Sequence, residues 1–213
     1  MIEPTKTSQK SWNLAGKLKS SRQLFHSSPE TAYSLIVSEQ LKYEVVKRLD
    51  GFEVRKYAGY ALAQVQIRGD FLTAGNSAFS TLLRYITGLN QSKQQMAMVA
   101  PVFQTSVEPD HHLVSFTLPA SVSGSNAPAP IDEMVKVVDV EPHVAVASRF
   151  SGLWNYDRFL TASENLEDAV ESAISNGDIS GRIVGEPFFA RYNSPFTPFF
   201  LRRNEVIFAF EEK

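Results

Sequence analysis

Cysteine is absent from all 213 residues, which removes disulfides, thiolate nucleophiles and Cys-based zinc or iron–sulfur centres. Long apolar runs are missing too. No stretch of 18 apolar residues exists, so no membrane-spanning helix is expected. A basic surplus is also lacking: 21 Lys and Arg face 23 Asp and Glu, a net charge of −2. Nucleic acid is therefore not an expected partner, because a phosphate-neutralising face needs excess positive charge. Histidines are few, namely His26, His111, His112 and His143. His111 and His112 are adjacent, and in an extended strand they point to opposite faces and cannot share one metal. Both are expected to be exposed in a hairpin, and His143 is expected to be exposed at a strand turn. The chain carries no G-x-S-x-G, H-E-x-x-H, G-x-x-x-x-G-K-[ST] or G-x-G-x-x-G motif. No catalytic residues are assigned, and an enzyme is not expected.

What is present is an ordinary globular composition, 43% hydrophobic and 21% charged, enriched in aromatics with 15 Phe and 7 Tyr. Such a supply serves a large core or an apolar pocket. Charge divides unevenly along the chain. Residues 1–26 hold Lys6, Lys10, Lys17, Lys19 and Arg22 against Glu3 alone. The first 40 residues, rich in Ser, Thr and Gln, read as a flexible basic leader. A cytoplasmic location is expected, or an organelle if residues 1–40 act as a targeting peptide.

Residues 41–213 read as the folded domain. Tyr43–Leu49 and Phe52–Tyr57 flank Asp50-Gly51, a two-residue hairpin signal. Tyr60–Arg68 alternates with period two, as a half-buried strand does. Phe71, Gly75, Ala78, Phe79, Leu82 and Ile86 then follow helical spacing, with Asp70 as N-cap and Gly88 as the stop. Met96–Val107 and His112–Leu118 read as a strand pair, and Pro119–Pro130 as a loop. Met134–Val140, Val144–Phe150, a helix over 155–175, Pro187–Tyr192 and Glu205–Phe210 repeat the order. The two rounds align at an offset of 83 residues, with Ala61, Ala63, Ile67, Gly69 and Phe71 on Val144, Val146, Phe150, Gly152 and Trp154. The pattern suggests a duplication and predicts an α+β fold: a closed or nearly closed antiparallel β-barrel with two helices packed on it and a ligand cleft between the related halves.

Two segments carry unusual residues. Met96 and Met98 share one strand face, either as core filling or as a pocket wall. Tyr192-Asn193-Ser194-Pro195-Phe196-Thr197-Pro198, followed by Arg202-Arg203-Asn204-Glu205-Val206, is either a rigid crossing with solvated charges or a rim whose guanidiniums suit carboxylates.

At these residues the chain resembles the SOUL haem-binding family. Matching elements are Tyr43-Glu44-Val45, Phe52-Glu53-Val54-Arg55-Lys56-Tyr57, the unit Ala61–Ile86, Met96-Ala97-Met98-Val99-Ala100-Pro101-Val102, Pro128-Ala129-Pro130 leading into Val135-Lys136-Val137, and Tyr192-Asn193-Ser194-Pro195 with Arg202-Arg203-Asn204-Glu205-Val206. They span about residues 42–211. The resemblance implies a duplicated, distorted β-barrel akin to bacterial effector-binding domains, and binding of haem or other tetrapyrroles. Some animal relatives have a proposed axial histidine where this chain has Lys56, so that imidazole is missing. Methionine, another histidine or no axial ligand remains, and binding is expected to be hydrophobic and reversible. For a flat apolar disc with two propionates, residue type and position single out Phe79, Leu83 and Met98 as walls. Phe196 would close the mouth, with Arg202 or Lys56 at the propionates. The leading expectation is a non-enzymatic tetrapyrrole carrier or buffer. The alternatives are an effector-sensing or interaction module of the same fold, and an iron-removing enzyme of tetrapyrrole metabolism.

Overall fold

The computed structural model describes residues 39–108, 110–194 and 196–213. Nearly all of the basic leader, and any targeting role for it, lies outside the described residues. The elements run β1 (Glu39–Gln40), β2 (Tyr43–Leu49), β3 (Phe52–Tyr57), β4 (Tyr60–Arg68), α1 (Phe71–Ile86), β5 (Val99–Glu108), β6 (His111–Thr117), β7 (Lys136–Val140), β8 (His143–Phe150), α2 (Tyr156–Ser175), β9 (Gly181–Arg191), a 3-10 turn (Phe199–Leu201) and β10 (Asn204–Glu212). Among the described residues no helix is long and apolar enough to cross a membrane.

Among the described residues one sheet holds all ten strands, in the order β2-β3-β8-β10-β9-β5-β6-β4-β7, with β1 added in parallel to β5. Every other pairing is antiparallel. The sheet is barrel-like but not closed, because β2 and β7 end the ladder without pairing. The duplication is visible in this order. The run β4-α1-β5-β6 has its counterpart in β8-α2-β9-β10, and each half lends its leading strand to the other, β3 to β8 and β7 to β4. The halves meet where β5 pairs with β9 through Val102↔Arg191, Phe103↔Ala190 and Gln104↔Phe189.

Local chemistry fixes matching points in both halves. β4 and β8 each run into a glycine in the left-handed region, Gly69 at φ 147° and Gly152 at φ 121°, where a Cβ would be strained. A cap then starts each helix. Asp70 accepts from Leu72 N and Thr73 N at 3.1 and 3.0 Å, and Asn155 accepts from Arg158 N at 2.9 Å.

Both helices cover the same kind of sheet face. Ala78, Leu82, Tyr85 and Ile86 of α1 pack with Ala63, Val65, Val114 and Phe116. Phe159, Leu166, Val170 and Ala173 of α2 pack with Val54, Val146, Phe189, Val206 and Phe208. Strand residues of the opposite parity, Tyr57, Leu62, Phe103, Ala145, Ala147, Ala190, Tyr192 and Ile207, form a third cluster. Period two along each strand produces this division.

Four local expectations are corrected. Met96 and Met98 precede β5 rather than lying within it, and Met96 is tied by its N–H to Ile86 O at 2.8 Å. β9 begins at Gly181, six residues earlier than expected, because its first half is largely exposed and shows no clean alternation. His112 is buried, since β6 lies between β5 and β4 and this residue turns under the start of α1. Its ring meets Phe71 edge-on at 5.6 Å and its Nδ1 lies 3.2 Å from Ser106 Oγ. Burial pulls its pKa below the usual imidazole value. His143 is half-buried, stacked on Tyr57 at 5.2 Å.

Candidate functional site

Phe79 and Leu83 lie four residues apart on α1, one and two turns beyond Gly75, and form a single stripe. Both are half-buried against the first-half core, where Phe79 meets Phe116 near edge-on at 5.1 Å, and Met98 packs against the same core. The three predicted wall residues thus pack against the first-half core, Phe79 and Leu83 from α1 and Met98 from the segment before β5.

At Gly75 the helix comes down onto the junction of the halves. A Cβ there would lie 2.7 Å from Gln104 Oε1 and 3.4 Å from the nearest Arg191 nitrogen. Gln104 is completely buried and donates from Nε2 to Phe71 O at 2.7 Å, while its Oε1 accepts from Arg191 at 3.1 Å. Arg191 belongs to the ladder row Val102–Arg191–Asn204–Phe150 and is 8% exposed. Asn204 in that row anchors Trp154, accepting from the indole Nε1 at 2.8 Å and donating to Gly152 O at 3.2 Å. The guanidinium carbons of Arg191 and Arg202 lie 5.4 and 4.4 Å from the centre of the Trp154 ring, within cation–π range. Contacts therefore run from the Gly75–Phe79–Leu83 stripe through Arg191 and Trp154 to Arg202.

Arg202 also donates from Nε to Thr197 O at 2.8 Å, and the connection carrying it is strongly apolar at its surface. Phe196, Phe199, Phe200 and Leu201 are all exposed, as is Leu153 nearby in sequence to Trp154. Gly152 N donates to Phe199 O at 3.1 Å, pinning this segment beside the start of α2. Lys56 is not part of this contact chain. It is exposed on β3, between Glu44 and Val144.

Clefts occur elsewhere on the surface and contain none of the predicted wall residues: one of about 480 Å³ is lined by Ala127, Pro130 and Val135 among others, and two more lie along the sheet. One of about 470 Å³ is lined by β1, Tyr60, Val99, Leu118, Val122 and Val140. The other, about 400 Å³, is lined by Tyr43, Arg48, Arg149, Arg203, Glu53 and Glu205 among others. At the latter, Glu205 is wholly buried, held by Arg55 at 2.6 and 3.1 Å, by Arg203 at 2.8 and 2.9 Å, and by the Tyr192 hydroxyl at 2.9 Å. Burial pushes the Glu205 carboxyl up, but the hydrogen bonds and charges of the two arginines outweigh it and hold it below the usual range. Arg203 is thus an internal ion-pair partner.

Sequence reasoning missed Arg191, Trp154 and the Arg55–Glu205 pair as features of the interior. A signal existed for Arg191. Phe189 and Arg191 share parity on β9, so an arginine follows a core phenylalanine onto the helix-covered face.

The model describing the SOUL heme-binding protein matches residues 38–209, and the chain belongs to this haem-binding family. No curated protein matches it. Among solved structures, the EcmrR C-terminal domain aligns at 11% identity and TM-score 0.51, over 80% of this chain and 99% of that one. EcmrR in a DNA complex aligns at 12% and 0.55, over 78% and 60%. A hydrolase from Listeria innocua aligns at 9% and 0.51, over 78% and 94%. These likenesses establish the shared fold.

Proposed function

We propose that the protein binds haem or a related tetrapyrrole reversibly and without chemical turnover, as a carrier or buffer, against the Phe79–Leu83 stripe of α1. The observation carrying this reading is the half-buried stripe of Phe79 and Leu83 with Met98, linked by contact to guanidiniums and to an exposed aromatic segment. A tetrapyrrole presents a broad apolar face and two carboxylates, and these residue types suit both parts. Phe79, Leu83 and Met98 would lie against the macrocycle, Phe196 would cover it, and Arg202 would meet a propionate. Lys56, exposed on β3 between Glu44 and Val144, lies off this stripe and serves less well.

Titration of the purified protein with hemin, followed at the Soret band, tests this. A saturable one-to-one endpoint is expected. Phe79→Ala or Met98→Ala should weaken it about tenfold or more, the equivalent of losing at least ~1.4 kcal/mol of apolar contact. No saturable shift would overturn the reading and favour a different hydrophobic effector on the same fold. Release of iron-free porphyrin would instead reveal an iron-removing enzyme.

A further inference from the structure

We propose that Arg191 is a buried carboxylate-binding site beneath α1 at Gly75, and that it makes the protein select tetrapyrroles with free propionates. This rests on the tetrapyrrole reading above and adds the chemical class of ligand.

The warrant is an imbalance between two buried arginines. Arg55, 3% exposed, is paired to Glu205 through two nitrogens and to Glu53 through Nε at 2.9 Å. Arg191 is buried as well, yet among the described residues no carboxylate lies within ion-pair distance of it. A guanidinium carries five N–H donors. Here one hydrogen bond is made, to Gln104, and Nε is a buried donor without any partner. The rings of Trp154 and Phe189, at 5.4 and 5.9 Å, attract the cation. Such attraction is worth about 0.5–2 kcal/mol, whereas burying an unpaired ion costs several kcal/mol. Ring faces also leave the in-plane N–H groups unsatisfied. Burial alone pulls the Arg191 pKa down to about 10, so it stays cationic at neutral pH.

The surroundings keep this cation in place and aimed. Gln104 is locked by Phe71 O, and Gly75 leaves no side chain between α1 and the guanidinium. The same helix continues one turn on into Phe79, and Arg202 shares the Trp154 ring. A carboxylate reaching Arg191 would gain charge-assisted hydrogen bonds while the attached ring lay along the apolar stripe. An arginine kept only for stability would be a poor choice here, since an apolar residue of similar length would serve better.

The test compares hemin with hemin dimethyl ester on the full chain, for wild type and Arg191→Met. Wild type should bind the free acid at least tenfold more tightly than the ester. Arg191→Met should lose that preference while its melting temperature holds or rises. If wild type binds both forms equally well, the carboxylate site is wrong and the tetrapyrrole reading survives. If it binds neither, both readings fall. A preference that persists in Arg191→Met, or a variant that folds but melts well below wild type, overturns the assignment to Arg191. If the variant fails to fold, ¹H–¹⁵N spectra of the wild-type arginine side chains decide instead. The protected Arg191 Nε–H should shift with the acid and not with the ester. A resonance indifferent to both forms at saturation refutes the site.

Discussion

Replacing Glu205 by alanine is expected to lower folding stability by about 3–5 kcal/mol, a fall in melting temperature on the order of 10 °C for a chain of this size. The carboxylate lies at the hub of the strand face opposite the helices, with no solvent access and five hydrogen bonds to its two oxygens. Alanine would strand the Arg55 guanidinium in the interior and leave the Tyr192 hydroxyl without its acceptor. Removing one partner of a buried pair costs more than the pair was worth, because the survivor cannot regain water. Glu205→Gln keeps the volume and removes the charge, so its loss should be smaller, and Arg55→Met with Glu205→Leu should recover part of the deficit. The same group predicts an acid response. Its folded pKa lies below the ordinary carboxylate value. Its contribution is therefore fully present above about pH 4.3, the unfolded value, and is lost as pH falls through the lower folded value. Thermal melts from pH 7 to pH 3 should show a shallower acid decline in Glu205→Gln than in wild type. Equal declines would mean that other carboxylates dominate the response.

The fold was legible in the sequence wherever the signal was local. Asp50-Gly51 declares the β2–β3 hairpin because Gly51 must hold φ 82°, and the Asp70 cap with its apolar spacing declares α1 to the residue. The offset of 83 residues between Gly69 and Gly152 is a backbone requirement repeated in both halves, which is why it survives where the helix sequences diverge. Strand exchange between the halves left no such local trace. β3 pairs with β8 and β7 with β4, so each hairpin-like reading of neighbouring segments gave the strands but not their partners. In the site, Phe79 and Leu83 could be chosen because helical spacing puts them on one stripe, and Met98 because of its residue type in the segment after the helix. Glu205 could not, since its main partner Arg55 is 150 residues away in the chain. Arg191 drew no reading from the sequence; its parity with Phe189 hints at burial, and its pairing with Val102 at the β5–β9 junction encloses it.

Phe189→Ala is expected to cost about 3–5 kcal/mol. Its ring is wholly buried and lies 5.7 Å from Phe71, 5.8 Å from Phe150 and 5.4 Å from Phe159, so one side chain joins the first residue of α1, the first turn of α2 and the strand β8. Truncation would open a cavity where both helices begin, and neither can collapse into it without drawing its capped start off the sheet. Poor relaxation of that kind sets the upper part of the range for aromatic deletions. Denaturant titration should show a lower midpoint with unchanged slope, the mark of lost stability rather than altered compactness. Phe189→Leu, which keeps most of the volume, should lose far less. The stack also predicts coupling. Phe71→Ala and Phe189→Ala remove the same contact, so the double variant should differ from additivity by about 0.5–3 kcal/mol. Additive losses would show that the two halves pack independently. Coupled losses would tie the stability of the junction to the residue two places before Arg191, whose guanidinium lies 5.9 Å from the Phe189 ring. Softening the aromatic stack should then also blunt the preference for the free acid that Arg191 is proposed to impose.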